Sequence, residues 1–172
     1  MNMSNEIWIF GYGSLIFEPE YKGKSLANFC EPPIDGVIKK GIEFWHTSKT
    51  RGGAPTLCFD GTKRVTKGKC WRVVKEPKSA IAYLIKREGK IRRCKVSLEN
   101  NRIVEAYCGD TYPDLKGKLP QEIAELAAKS EKKAQKDRGG ITYIKNCKRV
   151  GVITPLMEEI LNEIDKLTRG EK

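Results

Sequence analysis

A short bulky run, Ile7-Trp8-Ile9-Phe10, stops abruptly at Gly11-Tyr12-Gly13-Ser14. Glycines at such a place let main-chain N–H groups approach a ligand closely, and a serine adds a hydroxyl, so the loop could hold an anion or a developing oxyanion. A tight turn with no ligand uses the same residues. The second feature is Glu88, in Tyr83-Leu84-Ile85-Lys86-Arg87-Glu88-Gly89, where an apolar helix would end. A carboxylate there could move protons, while an ion pair with Arg87 or Arg92 is the plainer role. Other catalytic patterns fail on position. The third glycine of a dinucleotide fingerprint starting at Gly11 would fall at Ile16, and Gly23-Lys24-Ser25 has Glu18 where a phosphate loop needs its first glycine. His46 is the only histidine, so it reads as a hydrogen-bonding residue rather than a triad member.

The elements that must position these residues follow from pattern. Ile7 to Phe10 reads as a buried strand feeding the glycine loop. Val37 to Trp45 reads as extended, Thr50 to Pro55 as a second glycine-bearing loop, Thr56 to Phe59 as strand, and Asp60-Gly61 as a turn. Cys70 to Val74 is a further strand. A helix opened by Pro77 or Ser79 and closed by Gly89 would bury Ile81, Leu84 and Ile85. Cys94, Val96 and Leu98 alternate with polar residues, Asn100-Asn101 breaks the run, and Ile103 to Cys108 completes a hairpin. Pro120 opens a helix with Ile123, Leu126 and Ala127 inward, expected to end near Asp137 or Arg138 before Gly139-Gly140, with Lys129 to Lys136 exposed. A last helix is expected to be capped by Thr154, with Leu156, Ile160, Ile164 and Leu167 as its stripe before Gly170. Strands first and helices later make an α+β fold, and 172 residues fit a single domain, 1–172.

Lys and Arg number 33 against 22 Asp and Glu, a net charge of +11. Such an excess suits either nucleic acid or a small anionic ligand, but the basic residues are scattered and interleaved with acids, which favours a solvated surface. Cys30, Cys58, Cys70, Cys94, Cys108 and Cys147 form no C-x-x-C pair and have one histidine to join them, so zinc spacing is absent. With no secretory or membrane-spanning pattern, the expectation is a cytoplasmic protein whose thiols are free.

The weak signals gain force in combination. Ile9-Phe10-Gly11-Tyr12-Gly13-Ser14-Leu15-Ile16 resembles the opening strand and loop of the gamma-glutamylcyclotransferase superfamily, in particular its ChaC-type (AIG2-like) branch. Arg51-Gly52-Gly53-Ala54-Pro55-Thr56-Leu57 is similar to that family's second loop and strand, and Gly68 to Trp71 to the strand before its central helix. Glu88-Gly89 falls where the family carries its catalytic glutamate. Arg138 to Tyr143 is similar to the segment bearing a substrate-contacting tyrosine. The resemblance implies a small closed mixed β-barrel flanked by helices, no metal or cofactor, and a small-molecule γ-glutamyl substrate. It implies Glu88 as catalytic residue and Ile9, Phe10, Gly11, Tyr12, Gly13, Ser14 and Tyr143 as substrate-binding residues.

The implied reaction cyclises a γ-glutamyl compound to 5-oxoproline and releases its amine portion. The nucleophile is the substrate's own α-amine, so neither a serine triad nor a catalytic cysteine is required. An α-ammonium near ~8 and a free glutamate near ~4.3 differ by about 3.7 pH units, or roughly 5 kcal/mol against proton transfer. The transfer therefore asks for a desolvated Glu88, with Lys86, Arg87, Lys90, Arg92 and Arg93 turned to solvent. After Glu88-Gly89 the chain passes almost at once into Ile91-Arg92-Arg93, without the extra glycine and tyrosine usual in the branch. Glutathione, γ-glutamyl amino acids and γ-glutamylamines all remain open as substrates. Arg51 could contact a substrate carboxylate, sit in water, or pair with Asp60. The alternative from a different class is a basic binding module for RNA or an acidic partner, without turnover.

Overall fold

The computed structural model describes residues 5–170. The chain divides into two compact units, residues 1–39 with 64–111, and residues 40–63 with 112–172. Neither unit is one continuous stretch.

The first unit is the expected closed barrel. Strands β1 (Trp8–Gly11), β4 (Ile34–Ile38), β7 (Thr66–Arg72), β8 (Ile91–Leu98) and β9 (Ile103–Gly109) close in the order β1-β7-β4-β8-β9. Four of these neighbour pairs are antiparallel and β1–β9 is parallel, so the barrel is mixed. A short helix, α1 (Ser14–Phe17), leaves β1, followed by a small hairpin of β2 (Glu20–Tyr21) and β3 (Lys24–Ser25). Helix α2 (Pro77–Glu88) opens on proline and ends at Gly89, whose φ of 81° is left-handed and suits a residue without Cβ. Its inward face is Ala80, Tyr83 and Leu84; Ile85, expected inside, is 44% exposed. The stripe is thus rotated by about one residue, toward Ala80 and Tyr83. Ile9 and Trp71 lie under this helix with Leu15, Leu26 and Phe29. Alternation along a strand then puts Phe10 and Cys70, partners across β1 and β7, on the opposite, interior face. Burying a side chain such as Leu84 contributes about 1.5–3 kcal/mol.

The β8–β9 hairpin buries Cys94, Val96 and Leu98 opposite Val104, Ala106 and Cys108, as the alternation predicted. It also corrects the expectation of six free thiols: Cys94 and Cys108 are joined in a disulfide, while Cys30, Cys58, Cys70 and Cys147 are free. The partners occupy inward positions on adjacent strands, Cys94 opposite Ala106 and Cys108 opposite Arg92, so they meet diagonally.

The second unit pairs β5 (Ile42–Ser48) with β6 (Ala54–Phe59) and carries α3 (Pro120–Lys133), α4 (Gly140–Arg149) and α5 (Met157–Arg169). The stretch read as extended from Val37 to Trp45 is thus two strands broken at residues 39–41. Helix α3 ends at Lys133, earlier than expected, and Gly139-Gly140 opens α4, a helix the sequence reading did not foresee. A Cβ on Gly140 would lie 2.6 Å from the Ala127 Cα, so the glycine is there for close helix approach, sealed by its N–H donating to Ser130 Oγ at 2.7 Å. Helix α5 is not capped by Thr154. Its N-cap is Leu156, whose N–H donates 3.1 Å to the buried carboxylate of Glu43 on β5. No helix among the described residues is long and apolar enough to cross a membrane.

Candidate active site

In the first unit the glycine loop is built by close packing. A Cβ on Gly11 would meet Leu15 Cβ at 2.7 Å, so the absent side chain lets α1 fold back on β1. Gly68, near it on β7, leaves room for the Phe10 ring, which a Cβ would meet at 2.6 Å. Helical bonding in α1 starts with the Ile16 N–H donating to Gly13 O, so the N–H groups of Ser14 and Leu15 lie outside the helical ladder. Parallel pairing of β1 with β9 covers only Trp8 with Ala106 and Ile9 with Tyr107. Continued by two residues, that register would bring Gly11 level with Gly109, but there the strands have parted.

Glu88 is set at this end of the barrel. It is the last residue of α2, and a Cβ on Gly109 would stand 2.9 Å from its Oε2. Gly109 is therefore the floor on which the carboxylate rests. The Glu88 side chain is 22% exposed.

The expectation that the neighbouring cations face water holds for Lys86, Lys90, Arg92 and Arg93, which are exposed, and fails for Arg87. The Arg87 side chain is 4% exposed, and its Nε lies 3.9 Å from Glu88 Oε1. Its Nη2 donates to the carbonyls of Ser14 (2.7 Å) and Glu18 (2.5 Å), and Nη1 donates to the Tyr83 hydroxyl (3.1 Å). Tyr83 in turn donates to Pro19 O at 3.2 Å. The Glu18 carbonyl just past α1, and the Ser14 carbonyl, which also accepts the Glu18 N–H, face a residue one turn beyond Tyr83 on α2, and bonding to them draws the guanidinium inward.

Thus Glu88 and the loop belong to one unit and are linked through Arg87. Of the other residues expected to bind substrate, the side chains of Ile9 and Phe10 are core, 0% and 1% exposed, so they offer main chain only. Tyr12 and Ser14 are half-buried, and the Tyr12 ring lies 6.1 Å from that of Phe10. Tyr143 belongs to the second unit. Its ring packs edge-on against Phe44, its hydroxyl accepts from Leu57 N–H at 3.0 Å, and the Arg51 guanidinium lies 4.9 Å from its centroid. Arg51 is 5% exposed, so it is not a loop arginine in water. His46 fills the structural role expected of it, Nδ1–H donating to Tyr112 O at 2.8 Å. Burial pushes the Cys58, Cys70 and Cys147 thiols up to about 12 and Cys30 to about 11, which leaves them protonated and poor nucleophiles at neutral pH. Sequence reasoning missed Gly109 and the inward turn of Arg87, since both depend on strand register.

Residues 7–159 match the ChaC-like protein family. No curated protein matches the sequence. Among solved structures, a gamma-glutamyl cyclotransferase specific to glutathione from yeast superposes with a TM-score of 0.70 at 18% identity, over 94% of this chain and 96% of that one. YkqA from Bacillus subtilis superposes with a TM-score of 0.53 at 18% identity, over 94% of this chain and 55% of that one. These likenesses agree with the barrel and its order of elements. With the family match extending from the first strand into the last helix, the chain belongs to the ChaC branch of the gamma-glutamylcyclotransferase superfamily, a family of enzymes of that type.

Proposed function

We propose that this protein cyclises a γ-glutamyl peptide or amine to 5-oxoproline with Glu88 as its acid–base residue. The observation that carries the reading is the half-buried Glu88 carboxylate lying on Gly109, at the end of the barrel where β1 and β9 part. There Glu88 takes a proton from the substrate α-ammonium, and the freed amine attacks the γ-carbonyl carbon. A C–N bond forms, and the carbonyl oxygen becomes an oxyanion held by main-chain donors of the Gly11 to Ser14 loop. Collapse of that intermediate breaks the original amide C–N bond as the Glu88 carboxyl returns its proton to the departing nitrogen, and the second proton on the new ring nitrogen passes through the freed carboxylate to the released amine, which leaves as an ammonium. The loop contributes chiefly by holding the glutamyl chain bent, with amine and carbonyl in reach of each other.

Glutathione is the first substrate to try, because the yeast structure of like fold is specific to it. The net charge of +11 suits substrates that carry carboxylates. Mass spectrometry of glutathione, γ-glutamyl amino acids and γ-glutamylamines incubated with the protein tests the reading. Formation of 5-oxoproline from at least one class is expected, and none from any would refute it.

A further inference from the structure

We propose that Arg87 is a positioning residue that fixes the distance between the acid–base carboxylate and the main-chain donors of the substrate loop; this role rests on the function proposed above. One guanidinium touches both halves of the machinery. Nη2 holds the Ser14 and Glu18 carbonyls, and Nε stands 3.9 Å from Glu88 Oε1. Ser14 contributes on both sides of its residue, its carbonyl bound by Arg87 and its N–H outside the helical ladder of α1. Ser14 opens α1 and Glu18 follows its last residue, so clamping both carbonyls holds this short helix at each end and fixes the direction of its N–H groups. The Tyr83 hydroxyl and the Tyr21 ring, 5.8 Å from the guanidinium carbon, hold the fork from two further sides. Only a planar fork reaches all of these partners at once. A lysine would supply the charge without the geometry. Arg87 touches no reacting atom in this scheme.

The test compares Arg87→Met and Arg87→Lys with the parent protein. Circular dichroism and melting temperature establish folding, initial rates of 5-oxoproline release give kcat and KM, and hydrogen exchange reads residues 14–18. A 1 Å misplacement costs on the order of 10²-fold, so kcat of Arg87→Met is expected to fall about 10- to 100-fold while KM moves less than about threefold. Amides of residues 14–18 should exchange faster, and millimolar methylguanidinium should restore turnover to Arg87→Met but not to Glu88→Gln. Should the methionine variant fail to fold, Arg87→Lys carries the test, with kcat down about tenfold. Turnover within twofold of the parent in a folded variant, unaltered exchange, or no rescue would each reduce Arg87 to a structural residue. A parent protein that makes no 5-oxoproline from any substrate class, with Glu88→Gln no different, would remove the proposed function and this role with it.

Discussion

Each unit buries an arginine against a tyrosine, and the two settings differ in what lies beside the cation. In the barrel unit Arg87 bonds Tyr83 and stands at ion-pair distance from Glu88, whose side chain keeps 22% of its surface open. In the helical unit Arg51 covers the face of Tyr143, whose edge meets Phe44 and whose hydroxyl is occupied by Leu57 N–H. The first arrangement leaves a carboxylate partly accessible on a glycine floor; the second is 4–5% exposed at both residues. A buried cation is thus no mark of a reactive centre by itself. What distinguishes the barrel unit is an ionisable neighbour that solvent can still reach.

The largest expected effect comes from Glu88→Gln, which keeps shape and removes the proton carrier. Turnover should fall by about 10²- to 10⁴-fold with substrate binding little changed, as equilibrium binding of a γ-glutamyl compound would show. Unchanged turnover would take Glu88 out of the mechanism and erase the contrast. Gly109→Ala should come next. The new Cβ displaces the flexible end of Glu88, so kcat is expected to drop about 10- to 100-fold while the melting curve hardly moves. A variant that loses stability and keeps its rate would show that Gly109 serves packing alone.

On the other side of the comparison, Tyr143→Phe should strand the Leu57 N–H. The expected cost is about 1–3 kcal/mol, read as a melting temperature several degrees lower, with KM for the γ-glutamyl substrate unchanged. A rise in KM beyond about threefold would instead give Tyr143 the substrate contact that the family pattern implies. The smallest effect is expected from Arg51→Lys, which weakens the stacking over Tyr143 by about 0.5–2 kcal/mol and leaves kcat within twofold. A large loss of turnover there would abolish the distinction between the two arginines.

Much of the barrel was legible because its signals are local. The β1 run, the hairpin punctuated by Asn100-Asn101, and α2 between Pro77 and Gly89 all announce themselves within a few residues. Glu88 and the Gly11 to Ser14 loop were legible as types and through family likeness. What escaped depends on partners distant in sequence. Gly109 gains meaning only once register sets it beneath Glu88, and Arg87 turns inward for carbonyls some seventy residues away, on Ser14 and Glu18. Thr154 carried the right chemistry for a cap, yet Glu43 accepts from the N-cap residue of α5, Leu156, across 113 residues. The Cys94–Cys108 link follows no spacing rule, since it is made by cross-strand diagonal contact. Helix α4 was hidden because Gly139-Gly140 signals a stop as readily as a start.

The barrel has two thin seams, β1 with β9 and β4 with β8, each paired at two positions, whereas β8 and β9 share seven. Breathing should begin at those thin seams, the β1–β9 one beside Glu88 among them, well below the energy of global melting, and their amides should be the first of the strands to trade hydrogen for deuterium. Catalytic competence can then fade through local slackening while the bulk of the molecule stays folded, so heat inactivation is expected to precede heat denaturation.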